Sequence, residues 1–372
     1  MTNNPLANAQ RIIVKVGSST ITDEQNGTLR TGWLDSVTAD LAALRKQGKQ
    51  VIVVSSGAVA LGKRALGIRE KNIPLEQKQA AAAVGQIALT KAWRESFDAH
   101  GITVAQLLLT IDESENRRRY LNARNTLATL LELGAVPIIN ENDTVATAEL
   151  RFGDNDRLAA RVAQMASADA LILLSDIDGL YTANPHRDKN AQFIPELRSI
   201  DASIEAMAGD SHSDLGSGGM TTKIQAAKIA LAAGCHMAIA TGAVLHPIRA
   251  VQDGGRCTWF IASSTPKSAR KHWIAGSINP QGTLIVDDGA ATALKSGKSL
   301  LPAGVKQAEG QFERGDAVLI KTLTGQIIGK GLSAYSRADT DRILGRKSGE
   351  IEEILGYKGR DTLIHRDDMV LE

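Results

Sequence analysis

Cysteine is scarce. Two residues in 372, Cys235 and Cys257, are too few and too far apart for a disulfide framework or a clustered zinc site. That usage fits a reducing compartment, and the cytoplasm is the expected location. No apolar run approaches the roughly 18 residues of a membrane span, so no membrane partner is expected. The polar first ten residues lack the basic-then-apolar pattern of a secretory signal. An excess of either charge is also missing: 43 Lys+Arg stand against 41 Asp+Glu, for a net +2. Residues 264–372 hold 16 basic and 14 acidic side chains, and the preceding part holds 27 of each. Neither part has the basic footprint of a nucleic-acid binder. Repeats and low-complexity tracts are absent, while 43% hydrophobic residues suffice for a real core.

What the chain does have is glycine, 34 residues, above the average of about 7%. Many follow the end of a strand pattern, where backbone-lined ligand sites are built. Apolar, β-branched runs predict strands at Arg11–Val16, Gln50–Val54, Thr103–Leu109, Ala135–Asn140, Ala170–Leu174 and His236–Ala240. Helical patterns separate them at Leu34–Gln47, Gln77–Ala99, Arg117–Leu133, Asp156–Ala168 and Thr222–Ala233. This alternation predicts βαβ crossovers and a mostly parallel sheet covered on both faces. Ligands then bind beyond the C-terminal strand ends. After residue 262 the texture changes to a polar, proline-containing stretch. Short strands follow at Gly282–Val286, Ala317–Lys321 and Gln326–Gly331, with short helices at Ala290–Ser296 and Ala338–Leu344. That reads as a small β-rich domain.

Three familiar motifs fail. Gly297-Lys298-Ser299 has Thr292 where a Walker loop needs glycine, and Gly216-Ser217-Gly218 has Thr221 at the third dinucleotide glycine. His365-Arg366-Asp367 puts Glu372 where a protein kinase needs asparagine.

The predicted strand ends look chemical instead. Val14-Lys15-Val16-Gly17-Ser18-Ser19 offers a lysine beside unhindered donors, suited to a phosphate, though a strand-end lysine could equally snorkel to solvent. Ser55-Ser56-Gly57-Ala58 opens a helix, as an anion site or with Ser56 as a plain cap. Asn140-Glu141-Asn142-Asp143 and Gly153-Asp154-Asn155-Asp156 form a polar cluster richer than one turn and one cap require. One member, Asp154 or Asn155, is expected to serve as a helix cap. Ser175-Asp176 ends another strand, and Gly216–Lys223 has the composition of a phosphate-gripping loop at a helix start. Two lysines, acidic residues and glycine-rich helix starts at one sheet edge suggest phosphoryl transfer, which needs positioning and charge neutralisation rather than a covalent nucleophile.

These motifs, in this order, resemble the amino acid kinase family. The likeness spans nearly the whole chain, since the tail is similar to the PUA domain that ends many bacterial members. The resemblance implies a three-layer α/β sandwich with a mostly parallel sheet (the amino acid kinase fold), followed by a small β-rich PUA-like domain. It places the catalytic domain at 1–263, a linker at 264–280 and the PUA-like domain at 281–360. Within the family it is similar to members that phosphorylate the L-glutamate side-chain carboxylate with ATP and Mg2+. Their product, L-glutamyl 5-phosphate, opens proline biosynthesis, with L-proline as inhibitor and a homo-oligomer as the expected state. Carried over, Lys15 and Lys223 stabilise the phosphoryl group in transit and Asp156 organises them. Ser56, Asp143 and Asn155 hold the amino acid. ATP falls to Lys15, Ser175, Asp176, Ser217, Gly218, Gly219, Met220, Thr221, Thr222 and Lys223. No protein ligand for the metal is assigned. Ser175 departs from the family's threonine, a change that keeps the hydroxyl. An acceptor carboxylate is already ionised near pH 7, so no general base is required. His100, His186 and His212 read as surface residues. Three rivals are weighed: a kinase for acetylglutamate, aspartate or carbamate; an RNA-binding protein acting through its tail; and a regulatory amino-acid sensor. The charge balance argues against RNA, and a sensor is expected to have lost the lysines, which are present.

Overall fold

The structure is a computed structural model that describes residues 4–371 except 24–26, 71, 116, 146–154, 186, 209–218 and 277–278. The chain forms two compact units, one of residues 1–116 and 122–266, the other of residues 117–121 and 267–372.

The first unit is built on an eight-stranded sheet. Its strands in chain order are β1 (Arg11–Val16), β2 (Gln50–Ser55), β3 (Val104–Leu109), β4 (Val136–Glu141), β5 (Ala170–Ser175), β6 (Glu196–Leu197), β7 (His236–Thr241) and β8 (Cys257–Phe260). They lie in the order β3-β4-β2-β1-β5-β7-β8-β6. Six run parallel; β8 pairs antiparallel to β7, and the short β6 lies parallel to β8. The chain leaves β1 toward β2 on one side and later returns to place β5 on the other. Their C-terminal ends therefore flank the kind of crevice where such sheets bind ligands.

Alternation decides which face each side chain joins. Ile12, Val14 and Val16 enter one core and Ile13 the other; Ala170, Ile172 and Leu174 separate in the same way from Leu171 and Leu173. The first face is covered by α1 (Thr31–Lys46) through Leu34, Val37, Leu41 and Leu44. Two further helices, α2 (Ala58–Ala65) and α3 (Leu75–Asp98), follow, with Leu89, Trp93 and Phe97 of α3 in the same core. The opposite face takes α4 (Arg117–Glu132) through Leu127 and Leu131, α5 (Asn155–Ala166) and α6 (Met220–Ala232). Lys15 therefore sits in the centre of a sheet buried on both sides.

One helix crossing on this face is unusually close. A Cβ on Gly62 would stand 1.7 Å from Ala81 O, and one on Gly85 only 1.8 Å from Ala58 O. The backbones of α2 and α3 touch there, and no larger residue fits without parting the helices.

The second unit is a five-stranded sheet of β9 (Gly282–Val286), β10 (Val305–Gly310), β11 (Ala317–Thr322), β12 (Ile327–Leu332) and β13 (Met369–Leu371), ordered β10-β9-β11-β12-β13. The stretch 264–280 expected as a linker carries an eleven-residue helix, α7 (Pro266–Gly276). Arg270 of α7 pairs with the buried Asp368 at 2.6 Å, and Lys330 Nζ donates to Ala275 O at 2.8 Å. Polar composition and a proline suggested a linker, but proline is well placed in the first turn of a helix. Among the described residues no helix is long and apolar enough to cross a membrane.

Candidate active site

The strand ends deliver two side-chain clusters. At the centre, Lys15 on β1 and Lys223 in the first turn of α6 converge on Asp156, in the first turn of α5. Asp156 Oδ1 lies 2.6 Å from Lys15 Nζ and Oδ2 lies 3.1 Å from Lys223 Nζ. The three residues are 8%, 4% and 2% exposed for Lys15, Lys223 and Asp156, so the pairs are screened little by water. Burial alone would raise the Asp156 carboxyl, but the two ammonium groups outweigh it and hold it down at about 2. One buried carboxylate thus holds two ammonium groups together, the kind of cationic setting that can meet phosphate oxygens. Thr222 Oγ1 lies 3.1 Å from Asp156 Oδ2 and 2.8 Å from Gly219 O, with one proton to share between them.

Beside it is an amide cluster. Asn155 Nδ2 donates to Ser56 Oγ at 2.7 Å and to Asn140 Oδ1 at 3.2 Å. Asn140 Nδ2 donates in turn to Gln86 Oε1 at 2.7 Å. Ser56 does not cap the helix that follows it; Gly57 holds that position with φ of 111°, a left-handed backbone that favours glycine, and frees the serine hydroxyl for Asn155. Of the two cap candidates, Asp154 lies outside the described residues. Asn155 opens α5 and points its amide at Ser56 and Asn140 instead.

Asp143 follows β4 and is 9% exposed. Burial, and secondarily the neighbouring Glu141, push its carboxyl up to about 7. A cavity of about 640 Å3 reaches it between α3 and β3, lined by Gln86, Thr90, Gln106, Leu108, Glu141 and Asp143 among others. Lys15, Asp156 and Lys223 do not line that cavity.

The structure brings Lys15, Asp156, Thr222 and Lys223 together, and Ser56 with Asn155. Ser175 Oγ donates to Asp176 Oδ1 at 2.8 Å at the end of β5, the strand that pairs with the Lys15 strand. Gly219 caps α6, Met220 opens it and Thr221 is exposed in its first turn. Ser217 and Gly218 lie outside the described residues, as do His186 and His212, while His100 is exposed as expected. Asn140 stood in the polar cluster without a role of its own. Gln86 carried no sequence signal, being one polar residue in an alanine-rich helix. Among the described residues no three His, Cys, Asp or Glu side chains gather as a metal site.

Comparison with known proteins follows the same division. The amino acid kinase family model matches residues 10–241, and the PUA domain model matches residues 282–355. The chain is 62% identical to a glutamate 5-kinase of Paramagnetospirillum magneticum, over 99% of this chain and 100% of that protein. It is 58% identical to a glutamate 5-kinase of Rhodopseudomonas palustris strain BisA53, over 98% and 97% respectively. A third, from Rhodospirillum rubrum, is 56% identical over 97% of this chain and 96% of that protein.

Proposed function

The chain belongs to the amino acid kinase family, and from that premise we propose that it phosphorylates the side-chain carboxylate of L-glutamate with ATP. The products are L-glutamyl 5-phosphate and ADP, and the reaction opens proline biosynthesis. The observation that carries the reading is the buried Lys15–Asp156–Lys223 cluster beside the Ser56–Asn155 amide pair. The names of relatives that match from end to end supply the acceptor.

In this reading a carboxylate oxygen attacks the γ-phosphorus as the bond to the β,γ-bridging oxygen breaks, and ADP leaves with that electron pair. The acceptor arrives ionised, so no residue has to take a proton. Lys15 and Lys223 offset charge on the transferring oxygens, and Asp156 holds both ammonium groups in place. Ser175, Asp176 and the 217–223 segment are proposed to hold ATP. With no clustered ligands of its own among the described residues, the protein would receive Mg2+ bound to the nucleotide phosphates. Proline, an amino acid with a similar ammonium and α-carboxylate, is the proposed inhibitor of the same pocket.

Incubation with ATP and hydroxylamine, with glutamate, acetylglutamate, aspartate or carbamate as acceptor, tests the assignment. Glutamate alone is expected to give ADP and a trapped acyl hydroxamate. Turnover with another acceptor and none with glutamate overturns it.

Asp143 supplies a pH test. A carboxyl at about 7 is half protonated near neutrality, and only its carboxylate can pair with a substrate ammonium. The glutamate KM is therefore expected to fall as pH rises from 6 to 8 by roughly the gain in ionised Asp143, then level off. The stability sign runs the other way. A folded-state value above the ordinary one makes this group's contribution fade as pH rises toward 7 in the empty protein. Asp143→Asn should raise the glutamate KM by about tenfold or more at pH 8 and flatten its pH dependence. An unchanged profile in the variant refutes the role.

A further inference from the structure

The amide cluster has a single self-consistent orientation. The backbone N–H of Glu141 donates to Asn140 Oδ1 at 2.9 Å, which fixes the oxygen end of that side chain. Asn140 Nδ2 is thereby turned to Gln86 Oε1 at 2.7 Å. Because Asn140 Oδ1 is an acceptor, the Asn155 atom 3.2 Å away must be the nitrogen, which also donates to Ser56 Oγ. Asn155 is left with Oδ1, buried and without a hydrogen-bond partner among the described residues. Ser56 Oγ accepts and keeps its own proton to give. An acceptor beside a donor suits the ammonium and carboxylate of one amino acid.

Gln86 closes this relay from outside. Its Nε2 bonds Thr90 Oγ1 at 3.2 Å on its own helix, and its neighbour Gly85 is the point where α3 meets the backbone of α2. Both constraints leave Oε1 little freedom to move away from Asn140.

We propose that Gln86 is a positioning residue for amino-acid recognition. It holds the Asn140 amide, and through it the Asn155 amide, so that Asn155 Oδ1 accepts from the substrate ammonium. The proposal rests on the amino-acid acceptor assigned above and adds the group that orients its pocket.

Two full-length variants test it. Gln86→Met keeps the length but removes the acceptor, leaving the buried Asn140 NH2 unpaired; Gln86→Glu keeps an acceptor at the same reach. Gln86→Met should raise the glutamate KM by about tenfold while kcat and the ATP KM stay within about twofold. Gln86→Glu should recover most of that loss, which a merely structural role would not predict. A second readout needs no turnover: in 15N-asparagine-labelled protein, the Asn140 and Asn155 side-chain amide protons should be protected from exchange in wild type and Gln86→Glu, and lose protection in Gln86→Met. An unchanged glutamate KM in Gln86→Met overturns the proposal, as does an equal rise in Gln86→Glu. If the wild-type protein phosphorylates no amino acid, the functional reading falls, and the amide protection alone decides whether Gln86 orients the relay.

Discussion

Asp156→Asn is expected to lower kcat by about 100-fold or more, the scale for losing a preorganised charge contact. Asparagine keeps the shape and one acceptor oxygen but removes the charge that two buried ammonium groups share. Its amide nitrogen must then face one of them. Leaving buried charge without a counter-ion costs about 3–5 kcal/mol, so the melting temperature should fall as well. ATP supplies anionic oxygens to the same lysines, and its stabilising shift should be larger in the variant than in wild type. The pH dependence has a definite sign. With its folded-state carboxyl at about 2, below the ordinary 3.8, Asp156 contributes stability above that ordinary value and loses it as pH falls through 2. The melting gap between wild type and variant should therefore close on acidification. Wild-type turnover in a folded Asp156→Asn protein would remove Asp156 from the mechanism.

Lys223→Ala should also cost about 100-fold in kcat, with a smaller effect on the KM of either substrate. Lys223 enters from the first turn of α6 and reaches Asp156 Oδ2, whereas Lys15 enters from β1 and reaches Oδ1, so Lys15 cannot cover its position. Asp156 keeps one partner in this variant, which should make it more stable than Asp156→Asn. Deprived of one of the two cations that lower it, the Asp156 carboxyl should rise from about 2 toward its ordinary value. The acid limb of the kcat profile should move to higher pH accordingly. Near-normal turnover in Lys223→Ala would show that one ammonium suffices and overturn the paired-lysine reading.

The sequence by itself determined the local features of this protein. The six parallel strands appear within a residue or two of their expected bounds, because five of them are buried along most of their length and so must be continuous apolar, β-branched runs. Lys15, the Ser56-Gly57 turn and the Gly219–Lys223 helix start were legible because glycine and small polar residues at strand ends have few other uses. The tertiary structure decided what depends on strand order and packing. The reversal of β8 has no signature in its own four residues. The strand β10, Val305–Gly310, buries only two of its six side chains and has little apolar pattern to read. The helix Pro266–Gly276 lay hidden in a polar stretch, where composition describes solvent exposure and not conformation. The site itself is the clearest case. Asp156 meets Lys223 across 67 residues and Asn140 meets Gln86 across 54. Which donor meets which acceptor at such separations is fixed by the parallel register of β1 with its neighbours and by the close contact of α2 with α3. Periodicity reports which face of an element is buried; only the packed sheet and helices decide what that face meets.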